Sequence, residues 1–386
     1  MRRHSWSLWA GITQTTQDGV PVWETWYPRD LALDPQEQTP RSFASRRTLE
    51  APRQVQSADA REGSCRQALL SSILFNDPAY QHIRSLRYYD LDTYRRLLKE
   101  FDAAGTPPEE RRIKPFPRNA IAVLTAWWHI KQSGLTALPV WDLEPTRPLA
   151  WGKGSADPSK RLLGNYPYTW KRFVAVDPGP RPVGPDESAD VDFTYVDQSD
   201  RATKTVRKPG CRVVSINRFY RIEIRGAAVL KAAREALGDG VAEGDYAVLV
   251  GMHTATKELP EWVWSTFWWH DFPNDGRYAQ GRPDAVTGVW RNYLMNAVYD
   301  FILPREYDGT PTAAFNPYIE SHFANGPASN CMACHQRVAY PMKAALDGVQ
   351  LFLPVTRGKL PPDGPYFADK VQLDYVWPLY LPGYEP

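Results

Sequence analysis

The stretch Ile121-Ala122-Val123-Leu124-Thr125-Ala126-Trp127-Trp128-His129-Ile130 is a run of β-branched, aliphatic and aromatic residues without Gly or Pro. That composition suits a pleated, half-buried surface, so the run predicts a strand. Tyr168 to Val176, Arg212 to Ile224 and Tyr246 to Met252 have the same texture. They are separated by turn-forming stretches such as Asp177-Pro178-Gly179-Pro180 and Arg207-Lys208-Pro209-Gly210. One helix interrupts them, Ala227 to Leu237, ended by Gly238-Asp239-Gly240. The 35 Pro residues cut the chain into short elements. Strands and helices do not alternate regularly, which argues against a doubly wound sheet and for an α+β fold with a largely antiparallel sheet body and peripheral helices.

Outward from this body, Trp262-Val263-Trp264-Ser265-Thr266-Phe267-Trp268-Trp269-His270-Asp271 is the most aromatic part of a chain that holds 15 Trp. On a strand, Trp262, Trp264, Thr266 and Trp268 share one face and Val263, Phe267 and Trp269 the other, so both faces need covering. Toward the N-terminus, Arg66 to Phe75 and Tyr80 to Phe101 carry helical signals, with Ile83, Leu86, Leu91, Tyr94, Leu97 and Leu98 mostly three and four apart. Arg29 to Gly63 is polar and aperiodic and reads as an extended or partly mobile connection. Ahead of it, Trp6, Trp9, Val20, Val22, Trp23, Trp26 and Tyr27 supply enough apolar surface to dock on a core. Three regions follow: 1–115, helical and irregular; 116–303, the β-rich body; and 304–386, which carries the chemistry.

With 386 residues, 46 Lys+Arg against 44 Asp+Glu and both signs mixed, the chain shows no nucleic-acid footprint. No run approaches the roughly 18 apolar residues that span a bilayer.

Near the C-terminus the chain reads Ser329-Asn330-Cys331-Met332-Ala333-Cys334-His335. On a helical turn, residues three and four apart share a face, so Cys331 and Cys334 can both point at a porphyrin edge with His335 beside them. A C-x-x-C-H run is the pattern that attaches haem through two thioethers, with the neutral His as proximal iron ligand. Such a ligand needs an acceptor for its other ring nitrogen. With 4 Cys and 7 His in the chain, the pentad arises by accident roughly once in a thousand such sequences. Half of a zinc site is one alternative, but Cys65 and Cys211 stand far apart and alone. A thioredoxin-type dithiol is another, but Asn325 to Asn330 reads as a loop where that motif follows a strand.

The pentad resembles the attachment site of c-type cytochromes. The stretches Asn316-Pro317-Tyr318-Ile319-Glu320, Ser329 to His335 and Glu261 to Asp271 are similar to large bacterial single-haem proteins of the cytochrome c family. Small cytochromes place the motif near their start, whereas here 51 residues follow His335, so their fold does not carry over. The resemblance implies one covalent haem c and export to the periplasm or beyond. The start, Met1-Arg2-Arg3-His4 and onward, has a basic region but too few consecutive apolar residues for a leader, which suggests one lost upstream. In an oxidising compartment Cys65 and Cys211 either pair or remain two buried thiols.

What faces the other side of the iron decides the role. Met332 sits inside the pentad, and Met342 follows His335 too closely to reach the opposite face. His253 is the first candidate, at a strand end on a face with Ala247, Leu249 and Gly251. His270, beside Asp271, and His322, nine residues before Cys331, come next. Arg337, Lys343 and Tyr340 are placed to meet haem propionates, with solvated charge the default for Arg337 and Lys343. The expected role is one-electron transfer with a redox partner protein. A haem enzyme acting on peroxide, oxygen or a small organic substrate, with His253 or His270 as acid-base group, and a haem-containing sensor or binding protein are the alternatives.

Overall fold

The computed structural model describes residues 2–36, 69–141, 167–197, 200, 202–299, 314–321, 330–341, 360–361 and 363–379. In chain order the helices are α1 (Arg2–Ile12), α2 (Arg29–Leu33), α3 (Asp77–Ser85), α4 (Leu91–Ala103), α5 (Ala227–Leu237) and α6 (Cys331–His335). The strands are β1 (Tyr27–Pro28), β2 (Leu69–Phe75), β3 (Ile121–Ile130), β4 (Thr136–Val140), β5 (Arg172–Asp177), β6 (Ser188–Val196), β7 (Thr203–Ser215), β8 (Arg221–Glu223), β9 (Tyr246–Thr256), β10 (Val263–Trp269), β11 (Tyr293–Tyr299), β12 (Ala339–Tyr340) and β13 (Val371–Gln372). The fold is α+β. A seven-stranded sheet runs β1-β2-β3-β9-β10-β11 with β8 paired to β9, and every pairing in it is antiparallel. A second sheet, β4-β5-β7-β6, contains one parallel pair, β5 with β7.

β3 and α5 occupy the spans their composition predicts. Other expectations need correction. The helix expected over Arg66 to Phe75 is overturned in its described part: Leu69–Phe75 is β2, hydrogen-bonded between β1 and β3, and residues 66–68 lie outside the described residues. A short apolar run carries no decisive period, and pairing with β3 overrides local helical preference. Buried Thr125 on β3 reinforces that pairing, its hydroxyl 2.7 Å from Ser72 Oγ. The single helix over Tyr80 to Phe101 is two, α3 and α4, each with its own cap. The Asn76 side chain accepts from Ala79 N (3.2 Å) and the Asp90 side chain from Asp92 N (3.0 Å), with Arg87 at φ +55° in the turn between. The strand over Arg212 to Ile224 breaks after Ser215, whose hydroxyl accepts from Asn217 N and turns the chain before β8. Of the Arg29 to Gly63 connection, Arg29–Leu33 is helical and buries Leu31, Ala32 and Leu33; residues 37–63 lie outside the described residues.

The register of the large sheet decides what lies on each side, because cross-strand partners share a face. Thr125, Met252, Phe267 and Met295 are in line, as are Leu124, His253, Thr266 and Asn296 on the opposite face. α1 covers the first face. Trp6 and Trp9 are fully buried, and the Trp9 ring stacks on Phe267 with centroids 4.1 Å apart, a pair worth about 0.5–1.5 kcal/mol beyond its area. The N-terminus is thus docked, as its tryptophans predict. The C-terminal segment covers part of the second face, where Trp264, Ala255 and Val298 join Met332, Val338 and Leu373 in one apolar cluster. All of β10 is buried, so both faces of the aromatic run are covered as expected.

Candidate functional site

α6 is the pentad itself, and its start is fixed by fully buried Asn330, whose side chain accepts from Met332 N at 2.9 Å. Met332 points into the apolar cluster and is completely buried. Cys331 and Cys334, three apart, remain partly exposed and unbonded to each other as free thiols. Cys331 Sγ donates to Ala314 O at 3.5 Å. Burial pushes the Cys331 thiol well up and the Cys334 thiol up to about 12; the Glu320 carboxylate adds to both shifts, and the Arg337 guanidinium opposes the second. A thioredoxin-type dithiol requires the opposite, a thiolate favoured by its surroundings. Among the described residues no group of three or more His, Cys, Asp or Glu could hold a bare metal ion, so the second pair that structural zinc needs is not found there.

The C-terminal chain returns under α6 by the pairing of β12 with β13, and Leu373 N donates to Val338 O at 3.0 Å. This brings the Tyr375 carbonyl to His335 Nδ1, 2.7 Å away. The His335 ring also packs against Trp264, with centroids 4.0 Å apart and planes at 42°. Burial lowers the His335 pKa to about 3, against the bond to Tyr375 O and with a smaller push from His253. The imidazole is therefore neutral, its proton sits on Nδ1 toward the carbonyl, and the Nε2 lone pair is left for a ligand. No described residue bonds Nε2.

His253 lies on β9 with its Nε2 2.5 Å from Glu320 Oε1, both side chains 14% exposed. Its Nδ1 is buried and has no hydrogen-bond partner among the described residues. Of the face expected for His253, Gly251 is shared, but Leu249 and Ala247 are not. Ala126 pairs with Gly251 and the adjacent Trp127 with Leu249, so a bulge at Val250 puts Leu249 on the other side from Gly251 and His253. Opposite Gly251 sits fully buried Asn316, whose side chain donates to Thr266 Oγ1 (2.9 Å) and Phe267 O (2.8 Å) and accepts from Tyr318 N (3.0 Å). Asn316 N donates to Glu320 Oε2, so the Asn316–Glu320 turn is bolted to the sheet and presents its carboxylate to His253. Glu320, Asn316 and Tyr375 were not legible as site residues, although the first two lie in a stretch that carries the family resemblance.

The remaining candidates fall elsewhere. His270 is fully buried in a network of its own: Phe272 N donates to Nδ1 (2.9 Å), Nε2 bonds Trp141 O (3.1 Å), and Arg172 holds Asp271 at 2.8 Å and 2.9 Å. Both its nitrogens are taken, so it has neither a lone pair nor a proton to offer a ligand. Arg337 is 2% exposed and lies beside Cys334, which corrects the solvated reading; the chain around α6 closes over it. Tyr340 is partly buried with its ring 5.5 Å from that of Tyr94. Cys211 is a buried free thiol on β7. Cys65, His322, Met342 and Lys343 lie outside the described residues. No described helix is long and apolar enough to cross a membrane. No known protein family, curated protein or solved structure matches the chain.

Proposed function

We propose that the chain is an exported single-haem protein of the c type, with haem c attached through Cys331 and Cys334, its iron ligated by His335, and one-electron transfer with a redox partner protein as its role. The observation that carries this reading is the 2.7 Å contact between His335 Nδ1 and Tyr375 O, on the same short helix as two free thiols, Cys331 and Cys334. It gives a proximal imidazole the tautomer, orientation and basicity that iron ligation needs. When bound, the haem supplies an iron that gains and loses one electron. The chain would hold the tether at Cys331 and Cys334, packs the His335 ring against Trp264, and sets a buried cation, Arg337, beside Cys334.

His253 meets the requirement for the sixth position by the same logic as His335. One ring nitrogen is held by an oxygen acceptor, Glu320, and the other, Nδ1, is buried and unbonded among the described residues. That pair also supports a second reading, a haem enzyme in which His253 and Glu320 move a proton to or from a bound small molecule. Carbon monoxide separates the two: a low-spin reduced protein indifferent to the gas fits His253 as ligand, and ready binding fits the enzyme.

The attachment is tested by the double variant Cys331→Ala/Cys334→Ala, expressed in cells that mature such proteins. The purified variant is expected to lack covalent haem, and covalent haem retained by it would overturn the assignment.

A further inference from the structure

The carbonyl on which the His335 ring rests is held by an arrangement that the attachment motif does not itself require. Asp374 and Tyr375 are consecutive residues in the left-handed region, at φ +47° and +68°. L side chains rarely adopt that region, so the turn persists only if its surroundings impose it. The Asp374 carboxylate accepts from Lys257 Nζ (2.6 Å) on one oxygen and from Phe116 N (2.9 Å) on the other. The Asp374 carbonyl accepts from Trp262 Nε1 at 3.0 Å. Lys257 also donates to Pro260 O and, through its backbone N–H, to Ala120 O. The turn is thereby tied to the end of β9 and the approach to β3.

The Lys257 and Asp374 side chains are 6% and 9% exposed. A buried ion pair contributes little net stability, since desolvation offsets the attraction, and an apolar replacement of similar volume is often as stable. Stability therefore accounts poorly for its presence, and geometry accounts for it better. We infer that Lys257 and Asp374 are positioning residues for His335: they lock the Tyr375 carbonyl so that the rigid sheet, rather than a C-terminal loop, sets the orientation and basicity of the imidazole. This inference rests on His335 as the iron ligand. A firm hydrogen bond at Nδ1 makes the ring a stronger donor and favours oxidised iron, so loosening the clamp raises the reduction potential.

The test compares Asp374→Asn, Lys257→Met and Lys257→Arg in the full-length protein. Two quantities are read, the reduction potential and the exchange rate of the His335 Nδ1 proton in 15N-histidine-labelled samples. In Asp374→Asn and Lys257→Met the potential is expected to rise by up to a tenfold change in the redox equilibrium, about 59 mV for one electron, with faster proton exchange. Lys257→Arg, which keeps the cation, is expected to stay near wild type. If one of the first two fails to fold, the other carries the test. Folded Asp374→Asn or Lys257→Met with unchanged potential and exchange would overturn the inference. A wild-type protein without covalent haem would remove the ligand reading instead, and the proton exchange would still report on the clamp.

Discussion

Gly251→Ala is the most informative single-atom addition to this protein. A Cβ at residue 251 would lie 2.7 Å from Asn316 Oδ1 and 3.0 Å from its Nδ2, closer than side-chain atoms approach. The backbone of Gly251 is ordinary strand, so the added methyl strains no dihedral, and β-strand context gains about 0.5–1 kcal/mol from losing glycine. Asn316 cannot simply swing away, because it is fully buried and its amide is committed to Thr266 Oγ1 and Phe267 O. Overpacking costs about 1–3 kcal/mol, and surrendering the two bonds to β10 costs about 1 kcal/mol each. The net expectation is a loss of about 2–4 kcal/mol. Urea denaturation of Gly251→Ala, Asn316→Ala and the double variant measures it. The denaturant midpoint should fall in each single variant with an unchanged slope, and Gly251→Ala should cost far less in the Asn316→Ala background, where nothing is left to strike. Additive losses, or a neutral Gly251→Ala, would refute the close approach of the Asn316–Glu320 turn to β9 and with it the delivery of Glu320 to His253.

Trp264→Ala removes a ring that is 5% exposed and packs on His335, so it should destabilise by about 3–5 kcal/mol in denaturant titration and broaden the His335 ring resonances; stability within 1 kcal/mol of wild type would contradict that packing. Asn330→Ala deletes the cap of α6 and is expected to cost about 0.5–2 kcal/mol and to lower the yield of covalent haem, with wild-type values in both counting against the capped turn. Burial holds the phenols of Tyr94, Tyr293 and Tyr318 far above the usual tyrosine value of 10 and raises Tyr88 to about 12. The folded state keeps these protons while the unfolded chain releases them above pH 10, so stability present below pH 10 is lost as pH climbs toward 12. Melting temperatures across pH 8 to 11.5, read beside tyrosinate absorbance, should fall from about pH 10, and titration of all the tyrosines with one midpoint near pH 10 in the folded protein would contradict the burial.

The sheet was legible where side chains carry strand chemistry without ambiguity. β3 and the aromatic β10 announce themselves by β-branched and aromatic content, and the covering of both faces of β10 follows from alternation alone. β2 was not legible, because its apolar residues fit two periods and only its partner β3 decides between them. β6, with Asp190 and Asp192 set against the basic residues of β7, hides as an edge strand in a charged stretch. At the site, local spacing reveals Cys331, Cys334 and His335, since one helical turn contains them. The contacts around them close over long sequence distances: Tyr375 to His335, Glu320 to His253, Lys257 to Asp374. No pattern in the chain signals such pairings. The bulge at Val250 shows the same limit in miniature, since it shifts His253 out of the phase that strict alternation gives.

The proposed attachment is of one iron porphyrin through two sulfur atoms, those of Cys331 and Cys334. It is tested most directly by the absorption spectrum of the denatured, reduced protein in alkaline pyridine, after expression in cells that mature such proteins. One equivalent of porphyrin per chain is expected, with the spectrum of a haem whose two vinyl groups have both been converted to thioethers. A colourless protein, or a pigment with intact vinyl groups that acidified acetone extracts, would contradict it.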